Sequence, residues 1–285
     1  MENTKPSYRR VFMAFARNSL VRDMTFRTNF LLECVTSISW TMMNVGFYLL
    51  VFNYAKSIGA TTGWGKYEFF VFLATTWLIN AIVQAFFMPN AQEFSDLIRT
   101  GGLDFALLKP IDTQFLVSFR KVDWSALSNF AIALLLLGYG LFHLMQRTDP
   151  PWKPDWILLV LYPLYVGCGV IILYSLMTCL AATSIWLGRN QSLYDFWFYI
   201  TNFSRYPMEI YQRSWGVPLS ILFTFVIPVL VVVNIPARLL AQPLSPRADW
   251  EWPLAGFTLL ATVASLAASR WVFQRALMSY RSASS

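Results

Sequence analysis

Residues 156–188 read WILLVLYPLYVGCGVIILYSLMTCLAATSIWLG, a run of 33 positions with no Asp, Glu, Lys or Arg. A helix needs roughly 20 apolar residues to cross a hydrocarbon core of about 30 Å. The backbone in lipid must satisfy its own hydrogen bonds, so a run of this kind is read as a helix rather than an isolated strand. At 1.5 Å per residue this one extends about 50 Å, so it either tilts strongly or projects into the cytoplasm. Five further neutral runs flank it: Cys34 to Ala55, Phe69 to Gln92, Trp124 to Gln146, Ser214 to Ala237 and Trp252 to Ser269. A β-barrel needs shorter, alternating segments, and none appear. The expected fold class is an all-α integral membrane protein of six transmembrane helices, with spans at about 34–55, 69–90, 124–146, 156–187, 215–237 and 252–270.

Composition supports this reading. Of the 285 residues, 56% are hydrophobic and 13% charged, against about 25% charged in a soluble domain. The first 33 residues hold six Lys or Arg and no long apolar core, so a cleavable signal peptide is not expected and the first span serves as its own insertion signal. Cys34, Cys168 and Cys179 fall at or inside neutral runs, where thiols pack as small apolar groups and neither a disulfide framework nor a thiolate metal site is expected.

Lys and Arg accumulate on the cytoplasmic side of membrane proteins. With the runs taken as spans, alternate connections divide them sixteen to six. The richer side holds the N-terminal arm, the 91–123 connection with Arg99, Lys109, Arg120 and Lys121, the connection after residue 188, and the C-terminal end. Lys56, Lys66, Arg147, Lys153, Arg238 and Arg247 lie on the other side. Both termini are therefore expected in the cytoplasm. The net charge of +7 follows from this asymmetry and from contact with anionic lipid heads, and gives nucleic-acid binding little support. Trp64, Trp124, Trp152, Trp156, Trp215, Trp250, Trp252 and Trp271 lie at or close to span ends, as an interfacial belt requires.

The chain reads as one permease domain, 34–273, between an arm at 1–33 and a tail at 274–285. In the arm, Phe12, Phe15 and Phe26 fall on one helical face and Arg10 and Arg17 on the other, as in a helix lying in the membrane surface. A soluble basic arm is the alternative. Residues 195–213 mix aromatics with scattered charges around Pro207, which predicts short helices at the inner surface. Pro228 and Pro236 predict a break near the outer end of the fifth span.

Ionisable groups inside spans mark ion-driven transporters, and the six cores hold none. His143, the sole histidine, reads as an interfacial or packed residue. Zinc or serine chemistry needs convergent groups that one histidine cannot supply, so no catalytic residue and no metal site is expected. The nearest approach to a phosphate-binding loop is ATTGWGKY, in which Ala60 and Tyr67 replace required residues. Energy for uphill transport must then come from a partner.

The stretch FMPNAQEFSDLIRTGGLDFALLKPIDTQFLVSFRK (87–121) resembles the first intracellular loop of type 2 ABC exporter permeases. MTFRTNFLLE (24–33), SRYPMEIY (204–211), FTFVIPVLVVVNIPARLL (223–240) and the tail SRWVFQRALMSYRSASS resemble one branch of that family. The order and spacing of these strings carry the resemblance over nearly the whole chain. It implies a six-helix permease in the bacterial inner membrane, paired with a second, often non-identical permease. Two copies of a separate ABC ATPase would hold ATP and Mg, with no cofactor in this chain.

Within the loop, a helix from about residue 91 to 100 is expected to end at Gly101-Gly102, residues suited to a left-handed cap. Leu103, Phe105, Leu107 and Leu108 then supply an apolar strip beside Asp104, Lys109 and Pro110, with Arg99 at the rim. This is the expected ATPase-coupling element, and its alternative is a membrane-surface helix with a glycine stop. Membrane lipids are the remaining expected partner. The functions weighed are a permease subunit of an ATP-driven exporter moving an apolar or amphipathic substrate, an ATP-independent facilitator, and a membrane scaffold.

Overall fold

A computed structural model describes residues 7–58, 63–147, 156–188, 191–212, 216–242 and 251–280, and every regular element among them is helical. In chain order these are α1 (Tyr8–Thr25), α2 (Arg27–Tyr54), α3 (Lys66–Phe86), α4 (Met88–Arg99), α5 (Gly102–Leu107), α6 (Thr113–Phe119), α7 (Leu127–Met145), α8 (Trp156–Ala182), α9 (Ser184–Leu187) and α10 (Gln191–Asn202). Two 3-10 turns follow, Phe203–Arg205 and Met208–Gln212. Then come α11 (Val217–Ile221), which runs into a π-turn at Leu222–Val226, α12 (Val229–Ala241) and α13 (Glu251–Ser279). Five stretches are long and apolar enough to cross a membrane: Arg27–Tyr54, Lys66–Arg99, Leu127–Met145, Trp156–Leu187 and Pro253–Ser279. Of the residues invoked above, Ala60, Trp152, Lys153, Ser214, Trp215, Arg247 and Trp250 lie outside the described residues.

The core forms around α3, which packs against α7, α8 and α12. Phe69, Phe70, Phe72 and Ile79 are fully buried there. Two glycines set the closest approaches. A Cβ added at Gly140 of α7 would lie 3.0 Å from Val71 Cγ2, and one at Gly169 of α8 would lie 2.8 Å from the Val232 carbonyl oxygen of α12. In contrast, α2 buries only Thr41 and turns Val35, Trp40, Met42, Phe47 and Leu50 outward, a surface that hydrocarbon tolerates and water does not.

The N-terminal helix docks on protein through one face. Tyr8 meets Phe115 edge-on at 4.9 Å between ring centroids, and Phe12 meets Phe119 at 5.7 Å. Ser19 Oγ accepts the Val122 backbone N–H at 3.1 Å, and Trp124 Nε1 donates to the Ala16 carbonyl at 3.1 Å. Arg10 and Arg17 are exposed on the other side. Phe26 departs from the expectation, because it occupies the non-helical joint between α1 and α2 (φ −105°, ψ 46°) and is 67% exposed. The helical register ends at Thr25, so Phe26 cannot extend the docking face.

The fifth run is broken, as its prolines predict. Val217–Val226 and Val229–Ala241 meet at 87° across the Ile227–Pro228 break, so residues 215–237 do not form one straight span. Pro228 stands at the N-terminus of α12 and marks the break, whereas Pro236 lies inside α12 without interrupting it. A proline removes the hydrogen bond to the carbonyl four residues earlier. Here that carbonyl belongs to Val232, which is buried against Gly169.

Contacts at both ends fix how residues 191–242 sit. The C-terminal half of α8 lies with the α4–α6 hairpin, since Tyr174 hydrogen-bonds Gln114 and Ser118. From there the chain turns at Gly188 (φ 70°), and Ile200 joins the cluster that contains Leu176 and Leu230. Met208 N then donates to Asn234 Oδ1 at 2.8 Å, and Glu209 Oε2 accepts from Trp64 Nε1 at 3.3 Å, beside the start of α3. Residues 191–212 thus lead from the hairpin end of the bundle to the opposite end. The helix α12 finishes at that same opposite end, where Gln242 Nε2 donates to the Gly63 carbonyl at 3.2 Å. The expected short helices are present here, and they extend from the hairpin end of the bundle to its opposite end, with Phe198, Tyr199 and Tyr206 exposed.

Candidate functional site

The expected coupling element is a three-helix hairpin braced against the spans. Phe87 breaks the helix after α3, and Pro89 starts α4 in the first-turn position that proline favours. Asn90 then locks the far end of the hairpin, because its side chain donates to the Lys121 carbonyl at 2.7 Å and accepts from Lys121 N at 2.8 Å. Lys121 Nζ also pairs with Glu93, and Asp123 N donates to the Ala85 carbonyl at 2.8 Å. The two stems that join α3 and α7 are therefore tied to each other.

At the tip, α4 stops at Arg99 and Gly101 adopts the left-handed conformation (φ 72°), as the Gly-Gly pair predicts. Gly102 packs so closely that an added Cβ would lie 2.7 Å from Leu97 Cδ1. Leu103 departs from the expectation. It is fully buried in the main core, while Phe105 is 71% and Leu108 81% exposed, with Leu107 between these extremes. The apolar strip is thus Phe105, Leu107 and Leu108, flanked by exposed Lys109 and Pro110. Arg99 pairs with Asp96 at 3.2 Å, both largely exposed, and such a pair contributes little. Asp104 sits at the N-terminus of α5, in its first turn. Phe15, Leu97, Phe105, Ala106, Lys109 and Arg120 line a cavity of about 270 Å³ between α1 and the hairpin.

Sequence reasoning missed two polar networks. Asp112 caps α6 by accepting from Phe115 N at 2.9 Å and takes a two-pronged hydrogen bond from Arg270 of α13. Partial burial pushes the Asp112 carboxyl up, but Arg270 and the backbone N–H groups of Phe115 and Gln114 outweigh it and hold the carboxyl below its ordinary value. At the other end of the bundle Glu209 pairs with Arg238, both side chains 13–14% exposed. The sequence signals were a helix-capping Asp after Pro110 and a lone Arg closing the last neutral run. Nothing local linked Glu209 to Arg238 or Trp64. His143 stacks on Tyr67 at 4.5 Å between ring centroids and meets Tyr139 in a tilted pair at 4.4 Å. Among the described residues no group of three or more His, Cys, Asp or Glu is placed to hold a metal, and the three cysteines are free thiols.

A helical membrane chain with this hairpin is matched over residues 38–284 by a family model described as ABC-2 family transporter protein. The chain belongs to the ABC-2 transporter family. No curated protein and no solved structure matches it. As an ABC-2 family member it is a multi-pass membrane permease, of a kind that associates with an ABC ATPase and generally carries no catalysis of its own. The ABC-2 match begins inside α2, so α1 lies before it, whereas the hairpin and the broken pair lie within it.

Proposed function

We propose that this ABC-2 permease exports an apolar or amphipathic substrate from the bacterial cytoplasm, energised by two copies of a separate ATPase that hold ATP and Mg. A second permease, non-identical in the expected arrangement, completes the path. The observation that carries the reading is the hairpin tip, where Phe105 and Leu108 project from a rigidly braced support. Exposed apolar side chains on a braced element call for a partner, and burial at roughly 25 cal/mol per Å² supplies the driving force. Lys109 and Arg99 then orient the partner from the rim, where polar contacts contribute less than the buried centre. The N-terminal arm, the 91–123 connection and the C-terminal end together hold thirteen of the 22 Lys and Arg, which supports placing the hairpin, α1 and both termini in the cytoplasm of an inner-membrane protein. In that setting the exposed side of α1 rests among lipid headgroups.

The test is co-purification with the ATPase. The Phe105→Asp, Leu108→Asp double variant is expected to lose the ATPase while the helical content of the permease stays unchanged. Leu103 is unsuitable for this purpose, because a charge there enters the core. A double variant that still retains the ATPase, with hydrolysis intact, overturns the docking reading.

A further inference from the structure

Asp112 binds two elements with one carboxylate. Its Oδ1 caps α6 and also accepts from Arg270 Nη1 at 2.9 Å, while Arg270 Nη2 reaches Oδ2. The fork is planar and two-pronged, so it fixes orientation as well as distance. Arg270 Nη1 donates at 3.1 Å to Gln114 Oε1, and Gln114 Nε2 donates at 3.1 Å to the Tyr174 hydroxyl. Tyr174 in turn shares a 2.9 Å hydrogen bond with Ser118 Oγ. Gln114 is buried, so both ends of its amide are committed. A continuous polar chain therefore joins α13, α6 and α8 at the hairpin end of the bundle. The neighbouring contact between α4 and α13 is of another kind, a tilted ring pair of Phe94 and Phe273 at 5.9 Å. Apolar contacts are non-directional and let helices slide, whereas the fork does not.

The far end of α13 meets the broken pair. Phe257, about 20 Å from Arg270 along the helix at 1.5 Å per residue, packs edge-on against Phe225 at 5.2 Å. Phe225 belongs to the π-turn directly before the Ile227–Pro228 break. Beyond the break, α12 is anchored through Asn234 and Arg238. The helix α13, which packs against α8, is thus gripped at one end by the hairpin and touches, at the other, the π-turn before the break.

We propose that the Asp112–Arg270 fork, steadied by Gln114 and Tyr174, is the joint through which movement of the hairpin is delivered by α13 to the broken pair. This rests on the docking reading above, and the residues concerned are positioning residues that touch neither nucleotide nor substrate.

Spin labels on the intact permease–ATPase complex in lipid vesicles test the joint. Cys34, Cys168 and Cys179 are replaced by Ala, and labels are attached at Val226→Cys beside the break and Leu159→Cys on α8, both exposed. The probe is MgATP trapped with vanadate. With the joint intact, trapping is expected to change the label-to-label distance. Asp112→Asn retains an oxygen to cap α6 but loses the charge, and Arg270→Gln loses the fork. Both are expected to keep the ATPase bound and hydrolysing while the distance change disappears. Arg270→Lys, which keeps the charge and a single-point contact, is expected to restore part of it. A purely structural role would reduce the yield of complex without separating hydrolysis from the distance change. Distance changes of full size in both Asp112→Asn and Arg270→Gln overturn the joint and leave docking standing, and so does an intact complex that shows no change on trapping. An unaltered chain that holds no ATPase overturns the docking reading and the joint together.

Discussion

Glu209 and Arg238 form a largely buried charge pair between residues 29 apart in sequence. Their side chains are 14% and 13% exposed, and Trp64 Nε1 donates to the second oxygen of Glu209. Removing one partner of a buried pair leaves an uncompensated charge and costs about 3–5 kcal/mol, whereas replacing both with groups of similar volume is often close to neutral. Arg238→Met is therefore expected to lower the thermal midpoint in detergent sharply, and Glu209→Gln with Arg238→Met to recover most of it, because Gln still accepts from Trp64. Equal losses in the two variants would remove the pair from the account. Asp112 gives a pH-dependent counterpart. Its carboxyl lies below its ordinary value of 3.8, so its contribution is fully present above that value and is lost as pH falls through the lower folded value. Exchange protection of α6 is expected to be flat from neutrality down to about pH 4 and to fall below it, with the step absent in Asp112→Asn.

At the scale of elements, helices meet most closely where glycine permits. Gly169 faces the Val232 carbonyl, whereas Gly167, two positions away on the same helix, has open space around it. Gly169→Ala is expected to cost about 1–3 kcal/mol by overpacking. Gly167→Ala is expected to be neutral or slightly favourable, since alanine suits a helix interior better by roughly 1 kcal/mol. Melting of the two variants in the same detergent decides it, and equal midpoints would refute the close approach. What the sequence disclosed follows the same division. Runs free of charge were legible because lipid imposes them on helices that it surrounds, and the stop at Gly101 was legible because only glycine takes that conformation cheaply. Which side of α5 faces the core was not, since a helix of six residues offers too little periodicity to separate Leu103 from Phe105. The passage 191–212 was misjudged because Glu209 is satisfied by Trp64 and Arg238, 145 and 29 residues away, partners that no sequence window contains.

The placement of residues 191–242 matters for the whole molecule, because it decides what makes the fifth crossing. If the broken pair were one bent span entering from the cytoplasm, residues 204–212 would lie at the inner surface beside the hairpin. The contacts put Glu209 against Trp64 and Arg238 instead, at the end where Gln242 meets Gly63. That geometry is the one expected if α10 and its 3-10 turns cross, while α11 and α12 enter and leave from one side as a re-entrant pair. Six crossings remain in either arrangement, so both termini share a side and the charge asymmetry alone cannot choose between them. Irregular backbone at membrane depth is tolerated only where protein or a water-filled cavity covers it, and Phe223, Val229 and Leu230 are buried in a cluster with Ile200. A thiol at Ile210, partly exposed beside Glu209, separates the two arrangements. In a chain freed of its own cysteines, Ile210→Cys is expected to react with a membrane-impermeant reagent applied from outside intact cells, as Lys66→Cys should, while Lys109→Cys reacts only after the membrane is opened. Labelling of Ile210→Cys together with Lys109→Cys would return residues 204–212 to the cytoplasmic face and make the bent pair a span. Labelling of Lys109→Cys from outside would invert the protein and remove the hairpin from the reach of any cytoplasmic ATPase.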